Sequence, residues 1–354
     1  MSRFWVKKVS SLNPYVPGEQ PVGQAFVKLN TNEHALPPSH AVMAAISSLS
    51  GEALRCYPDP TARLLRSAIA VQEHLSKAQV FVGNGSDEVL AHLWAACLAN
   101  RPVASVDITY GFYPVWCQLY GSTLTQCPLR HDFSVDVEAL MNAEGALVLA
   151  NPNAPTGLAL TRSQIETLVA ANRNRLVVID EAYYGFGAET AAPLINDYDN
   201  LIVTRSLSKS HGLAGMRVGY ALANPALIDG LDRIKDSFNS YPLDAVAQSA
   251  ATAAIKDLEW FVRASNVVID SRDSMTEGLL EMGFEVLPSQ ANFIFARPGR
   301  GSGPGLFDAL RQRNILVRRW ENPRIADWLR ISIGTPEQTE VLLAAVGEIL
   351  ESVD

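Results

Sequence analysis

The feature that most constrains this chain is a repeated alternation. Short, continuously apolar runs open at Val80, Val103, Ala146, Leu176, Leu201 and Val218, and most of them pass through a polar or glycine turn into a stretch of helical period. A strand that is apolar along its whole length has no face for water, so it belongs in a sheet covered on both sides. Strands and helices in alternation give a mostly parallel sheet with helices on both faces, an α/β architecture. Sites in such folds form beyond the carboxyl ends of the strands. Asn151, Asp180 and Lys209 each sit just past such an end, so the sheet predicts that the three converge.

The pattern changes near residue 245. A long helical stretch over 245–280 is followed by FEVLPS, NFIFARP, ILVRRW and WLRISIG, short strands separated by a helix over 306–313. That order reads as a small α+β domain. A chain of 354 residues fits one large and one small domain. The expected division is an N-terminal arm over 1–30 that packs on the small domain or on a partner subunit, a large domain over 31–244, and a small domain over 245–354. Pro14, Pro17, Gly18 and Pro21 favour an extended arm lying on something else, with Tyr15 at its middle.

A formal net charge of −8 argues against nucleic acid or an anionic membrane as partner, so anion specificity must come from a few local arginines. Cys56, Cys97, Cys117 and Cys127 have no CxxC spacing and no clustered histidines. They read as free thiols in a reducing compartment, and no metal site is expected. No apolar run approaches the ~18 residues of a membrane span, and the first fifteen residues lack a signal-peptide core. The expectation is a cytoplasmic protein.

The chemistry is concentrated around Lys209. Leu201-Ile-Val-Thr runs into Arg205-Ser206-Leu-Ser208-Lys209-Ser-His211-Gly212, and Arg217 follows eight residues after the lysine. A lysine set among small and hydroxyl residues has little reason to be solvated surface, and a chemical one if it forms an imine with a carbonyl cofactor. An amine in a closed, partly apolar site with a cationic neighbour has a lowered pKa and becomes a usable nucleophile. Arg217, Ser206 and Ser208 offer charge-assisted donors for a phosphate. Lysine and phosphate cup together suggest pyridoxal 5'-phosphate. A second wall is offered by Gly83-Asn84-Gly85-Ser86-Asp87, which leads from a strand into a helix. Such a turn leaves backbone N–H groups at a helix N-terminus, where they favour an anion. It is not a dinucleotide fingerprint, because GxGxxG with an acidic residue about 20 positions on is absent. Taken singly, each motif has a plainer explanation: a strand-end aspartate is often a cap, and an asparagine before proline a turn former. Their joint appearance, in this order, carries the weight.

Asn151-Pro-Asn-Ala-Pro-Thr-Gly157, Asp180-Glu-Ala-Tyr183, Ser206-Leu-Ser-Lys209 and Arg217 resemble the signature set of fold-type I pyridoxal-phosphate aminotransferases. LNPYVPG, YPDP, VGNGSDE, TYGFY, LSKSHGLAGMRVGY and LRISIGTPEQ resemble their histidinol-phosphate aminotransferase subfamily, and these matches run from Leu12 to Gln338. The resemblance implies that Lys209 carries the cofactor and shuttles a proton, while Asp180 keeps the pyridine nitrogen protonated so that the ring acts as an electron sink. It implies that Tyr183 and Asn151 donate to the phenolate oxygen and that Tyr110 stacks on the ring. Gly85, Ser86, Asp87, Ser206, Ser208 and Arg217 would surround the phosphate. Tyr57 is similar to a tyrosine that reaches the phosphate in the neighbouring subunit, which makes a homodimer part of the site.

The same resemblance gives the substrate end to Arg330, Arg318 and Tyr15, with Tyr241 and Asn292 as further lining positions. The implied reaction moves an amino group between L-histidinol phosphate and 2-oxoglutarate, giving glutamate, in histidine biosynthesis. Arg319 is the neighbour on the opposite strand face and is expected to be exposed, a one-residue register slip being what would exchange it with Arg318. Two readings compete: an aminotransferase for aromatic or other amino acids, and a decarboxylase of the threonine-phosphate type. The turn Asn32-Glu-His-Ala-Leu-Pro-Pro38 departs from the Asn-Glu-Asn-Pro-Tyr-Gly-like family pattern, and His211 stands where an aromatic or small residue is common.

Overall fold

The computed structural model describes residues 2–20 and 25–352; Pro21 of the arm lies outside them. The large sheet has seven strands in the order Val80–Asn84, Val218–Ala223, Leu201–Ser206, Val177–Asp180, Ala146–Ala150, Pro102–Val106, Thr123–Cys127. All pair in parallel except Val218–Ala223, which runs antiparallel to both of its neighbours. The two-residue period of the strands divides their apolar side chains between two cores. Val177, Ile179, Leu201 and Val203 join one with the helices Arg63–Gln72, Arg162–Ala170 and Ala245–Lys256. Val178 and Ile202 join the other with Gly85–Leu93, Phe112–Tyr120 and Pro225–Phe238. Each fully buried aliphatic side chain contributes about 1.5–3 kcal/mol. Two covered faces therefore explain why the runs carry no polar alternation.

A second lobe holds an antiparallel sheet of Glu285–Val286, Phe293–Arg297 and Leu329–Ser332, backed by the helices Leu258–Glu281, Gly303–Gln312 and Pro336–Glu351. The helical stretch predicted over 245–280 is two helices rather than one. Asp257 separates them, and its carboxylate caps the second by accepting from the Trp260 N–H at 3.1 Å. Helix Ala245–Lys256 lays Ala247, Ala250, Ala251 and Ala254 into the large core. We therefore propose the lobe division at Asp257, not at 244–245.

The arm contains a short helix, Lys7–Ser11, and is extended from Leu12 to Gln20. It crosses both lobes. Asn13 N–H donates to Gln118 Oε1 at 3.1 Å on the large lobe, and Arg318 Nη2 donates to the Val16 carbonyl at 3.2 Å on the small one. Val27–Lys28 then pairs in parallel with Ile315–Leu316. Residues 15–18 of the arm pass over the cleft at the carboxyl ends of the large sheet, where Tyr15, Pro17 and Gly18 become part of the wall. No helix among the described residues is long and apolar enough to cross a membrane. The four cysteines are free thiols.

Candidate active site

Asp180 ends its strand at the floor of the cleft, 3% exposed. Its carboxylate accepts from Tyr113 Oη at 2.9 Å and from Thr204 Oγ1 at 3.1 Å. Burial pushes its pKa up to about 6, against those two hydrogen bonds. A buried carboxylate without a cation is costly. None of the ion pairs among the described residues involves Asp180, so the floor suits a protonated ring nitrogen. Tyr113 and Thr204 escaped the sequence reading, because a tyrosine and a threonine facing a core look like packing until the polar tips find a partner.

Lys209 follows the strand Leu201–Ser206 within the single-turn helix Leu207–Ser210. Its Nζ donates to the Thr31 carbonyl at 2.8 Å. Burial, with the nearby Arg330 guanidinium, lowers its pKa to about 8. A neutral amine is thus accessible at mildly alkaline pH, which is what nucleophilic attack on a carbonyl requires.

Ser86, Asp87, Ser206, Ser208 and Arg217 line the cleft beside Lys209. Arg217 Nη2 meets Asp87 Oδ2 at 3.1 Å, and Tyr110 Oη donates to the other Asp87 oxygen at 3.0 Å. Two glycines make this wall possible. A Cβ at Gly85 would lie 2.5 Å from Arg217 Nη2, and one at Gly219 would lie 2.3 Å from the Ser86 nitrogen. Gly85 thus gives no lining atom but lets the guanidinium cross the first turn of helix Gly85–Leu93. The N–H groups of that turn, the serine hydroxyls and Arg217 together fit a phosphate. The buried lysine, the cation-free aspartate below it and this anion cup fit the phosphate, carbonyl and ring nitrogen of pyridoxal 5'-phosphate.

Tyr183 lines the cleft, and its hydroxyl oxygen accepts from Asn32 Nδ2 at 3.0 Å. Burial raises its pKa, while Arg330 and the Asn32 hydrogen bond act against that rise. Asn151 is held by its own loop. Its Nδ2 donates to the Leu160 carbonyl at 3.2 Å and its Oδ1 accepts from the Leu160 N–H at 2.7 Å, so both polar atoms staple its own loop. Ala150 and Ala154 line the wall on either side of it, and one Nδ2–H of Asn151 is left over after the bond to Leu160.

The small lobe brings Arg330, and Arg318 on the adjoining segment, to the other end of the cleft with Tyr15. Arg330 is half-buried in the cleft wall, and burial lowers its pKa. Its Nη2 donates to the Asn30 carbonyl at 2.7 Å, and its Nε has no partner. The guanidinium carbon lies 5.5 Å from the Phe293 ring centre and 5.3 Å from that of Trp320. Arg319 points elsewhere and donates to the Ala326 carbonyl at 3.1 Å. Tyr15 stacks on Phe112 with ring centres 4.6 Å apart.

Three residues stay outside this cleft. Tyr57 is 82% exposed and stacks on Tyr241 at 4.6 Å, so neither lines it. Asn292 is buried behind it and donates to the Asn32 carbonyl at 3.0 Å. The unusual 32–38 turn contributes Asn32 and Glu33 to the wall, next to Thr31. His34 closes the turn on itself, with Nδ1 accepting from the Leu36 N–H at 2.9 Å and the ring 5.5 Å from Trp260. The departures at His34, Leu36 and Pro37 thus lie outside the cleft.

Residues 24–346 match the family model for aminotransferases of class I and II. The chain is 52% identical over 351 residues to histidinol-phosphate aminotransferase 1 of Bradyrhizobium diazoefficiens, covering 99% of this chain and 100% of that one. It is equally similar, at 52% over 351 residues and 99% of both chains, to the histidinol-phosphate aminotransferase of Gluconacetobacter diazotrophicus. A crystal structure of histidinol-phosphate aminotransferase from Sinorhizobium meliloti in complex with pyridoxal-5'-phosphate aligns with a TM-score of 0.90 and 26% identity, over 100% of this chain and 99% of that one. The L-threonine-O-3-phosphate decarboxylase of Porphyromonas gingivalis, at TM-score 0.77 and 22% identity over 92% of this chain and 99% of that one, shares the fold alone.

Proposed function

The chain belongs to the class I and II aminotransferase family, and on that footing we propose that it binds pyridoxal 5'-phosphate and transfers an amino group from L-histidinol phosphate to 2-oxoglutarate. The observation that carries the substrate reading is the pair Arg318 and Arg330. Both guanidinium groups line one end of the cleft, and among the described residues neither is in an ion pair with a carboxylate. An uncompensated double cation suits a dianion. A phosphate monoester and the distal carboxylate of a dicarboxylate can use it in turn, which is what the two half-reactions need.

The bound cofactor supplies a carbonyl to receive the amine and a ring that accepts electron density from the bond broken at the substrate Cα. Lys209 would hold the cofactor through its carbonyl, and its Nζ, in the neutral form that burial favours, would serve to take and return the substrate Cα proton. Asp180 keeps the proton on the ring nitrogen, with Tyr113 and Thr204 holding its carboxylate in place. Tyr183, whose hydroxyl lines the cleft, would donate to the cofactor, and Tyr110 would help to hold it. Ser86, Ser206, Ser208 and Arg217 hold the phosphate, with Asp87 fixing Arg217. The arm places Tyr15 over the substrate and limits the entry of water.

The proposal extends to a homodimer in the cytoplasm. Tyr57 is displayed at the surface, stacked on Tyr241 and away from its own cleft, as a tyrosine offered to a second subunit's phosphate would be. The test follows the visible absorbance of protein loaded with pyridoxal 5'-phosphate. L-histidinol phosphate should bleach the band and 2-oxoglutarate restore it, with glutamate appearing as product. Bleaching by glutamate but not by histidinol phosphate would keep the aminotransferase and overturn this substrate. Release of carbon dioxide from threonine phosphate, with no amino transfer, would replace transamination by decarboxylation.

A further inference from the structure

We propose that Asn32 is a positioning residue that fixes the direction of the Tyr183 hydroxyl, and that Ser332 locks Asn32 in turn. This rests on the reading of the cleft as a pyridoxal-phosphate site. Asn32 is 1% exposed and has φ 54°, in the left-handed region that asparagine tolerates better than most residues. Its backbone N–H donates to Ser332 Oγ at 2.8 Å, and Ser332 Oγ donates to Asn32 Oδ1 at 2.8 Å. The Asn32 carbonyl accepts from Asn292 Nδ2 at 3.0 Å, and Asn32 Nδ2 donates to Tyr183 Oη at 3.0 Å. Every polar group of Asn32 is therefore in use.

The orientation follows from valence. A serine hydroxyl carries one proton. Ser332 already accepts the Asn32 N–H, so its own proton goes to Oδ1. A flipped amide would set an NH2 group against that hydroxyl and leave its proton facing a donor. The NH2 end is therefore turned to Tyr183, whose oxygen must accept. The phenolic proton is left over. Among the described residues no acceptor takes it, and the ring lines the cleft, so it is directed inward.

The arrangement reaches further than one tyrosine. The Asn30 carbonyl accepts from Arg330, the Thr31 carbonyl accepts from Lys209, and the Asn32 amide donates to Tyr183. Three consecutive residues thus hold three cleft side chains drawn from both lobes. Arg330 and Ser332 sit two apart on the strand Leu329–Ser332 and so share a face. The period that aims Arg330 into the cleft also aims Ser332 at Asn32.

A donor held toward the cleft stabilises negative charge on the cofactor oxygen it meets. The deprotonated form of the bound cofactor is then favoured, and losing the donor should hold the proton to higher pH. The test is the pH midpoint of the visible band in Asn32→Ala, Asn32→Asp and Ser332→Ala, with Tyr183→Phe as reference. In Asn32→Asp a carboxylate of the same shape would accept the Tyr183 proton and turn it out of the cleft. We expect Tyr183→Phe to move the midpoint up by about one pH unit, the scale of one hydrogen bond to a charged group. Asn32→Asp should move it as far, and the two alanine variants part of the way. Pyridoxal-phosphate affinity, read by fluorescence quenching of the cofactor-free protein, should weaken in the same order. An unmoved midpoint in all three Asn32 and Ser332 variants, with Tyr183→Phe shifted, would reduce Asn32 to a structural role and overturn the proposal. An unmoved midpoint in Tyr183→Phe would overturn it as well. Absence of a visible band in the unmutated protein given excess pyridoxal 5'-phosphate would instead defeat the functional reading beneath it. Ser332→Ala removes one oxygen and keeps the experiment open should an Asn32 variant fail to fold.

Discussion

Arg318 and Arg330 exchange both of their backbone hydrogen bonds, at 3.0 and 2.8 Å, so two guanidinium groups of like charge leave facing backbone segments side by side. Like charges directly opposed across a β pair are destabilising. The fold accepts that cost at the one place where both side chains also line the cleft. The opposition is relieved by whatever anion lies between them.

Substitution of either arginine should therefore raise KM more than it lowers kcat. Arg330→Lys keeps the charge but loses the planar fork, and should raise the KM for both substrates by about 10- to 100-fold, the size of one or two charge-assisted hydrogen bonds. Arg318→Ala should hurt the phosphate ester more than 2-oxoglutarate. Steady-state kinetics with each substrate varied will show it. Equal losses for both substrates in Arg318→Ala would remove its assignment to the phosphate.

Lys209 should attach pyridoxal 5'-phosphate with a rate that climbs with pH and levels off near pH 8, where burial and Arg330 have set its pKa. Only the neutral amine attacks, so the rate rises about tenfold per pH unit below that value. Arg330→Gln removes the neighbouring cation and should move the plateau to higher pH. Stopped-flow mixing of cofactor-free protein with cofactor measures both curves. Lys209→Ala should form no covalent adduct and lose at least ~10²-fold in kcat. A plateau above pH 10 in the unmutated protein would mean that the lysine is not buried as described.

Asp180→Asn keeps the shape of the floor and removes its charge. The amide cannot hold a proton on the ring nitrogen, so kcat should fall by about 10²-fold or more, the loss seen when one preorganised electrostatic partner is removed. The cofactor-free variant should be more stable than the parent at pH 7. The parent's carboxylate, with its pKa raised to about 6, is ionised there without a cation. Burial of that charge opposes folding above pH 6 and is relieved as pH falls toward 4. Denaturant midpoints of the two cofactor-free proteins should coincide near pH 4, begin to diverge by pH 5 and differ most at pH 7.5.

How much of this was legible in the sequence depends on which atoms do the work. Asp180 and Lys209 could be placed together because each ends an apolar run in a parallel sheet, and strand ends share an edge. Asn151 ends such a run too, but a loop has no period to say which way a side chain turns, and its amide closes the loop on Leu160. The break at Asp257 was hidden because an aspartate is tolerated inside a helix as well as at its start. Asn30 and Thr31 left no signal, since their contributions are backbone carbonyls that any residue carries. The unusual 32–38 turn was noticed for its altered residues. Its functional atom belongs to Asn32, which opens the turn and keeps the family's residue, and the altered side chains serve the turn itself.

Those altered side chains carry a prediction of their own. His34 and His211 are both enclosed, and each has an Nε2 without a partner. Burial lowers the His34 pKa to about 4; burial, with His34 and Arg205 nearby, lowers that of His211 to about 3. Both are therefore neutral in the folded protein at pH 5, while an unfolded chain binds their protons near pH 6.5. A group whose pKa is depressed on folding gives stability that is complete above 6.5 and is lost as pH falls. The loss is about 1.4 kcal/mol per pH unit per histidine and continues to about pH 4 for His34 and pH 3 for His211. Asp180 acts in the opposite direction between about pH 4 and 6, so the comparison must be between variants that both retain it. His211→Phe suits the purpose, because the ring already stacks on Phe261 at 5.0 Å and the replacement needs no hydrogen-bond partner at its edge. Urea unfolding between pH 4 and 6.5 should show the variant losing stability less steeply than the parent, by about 1.4 kcal/mol per pH unit. Parallel lines would mean that His211 is protonated in the folded state, and with it that the region beneath Phe261 is open to water.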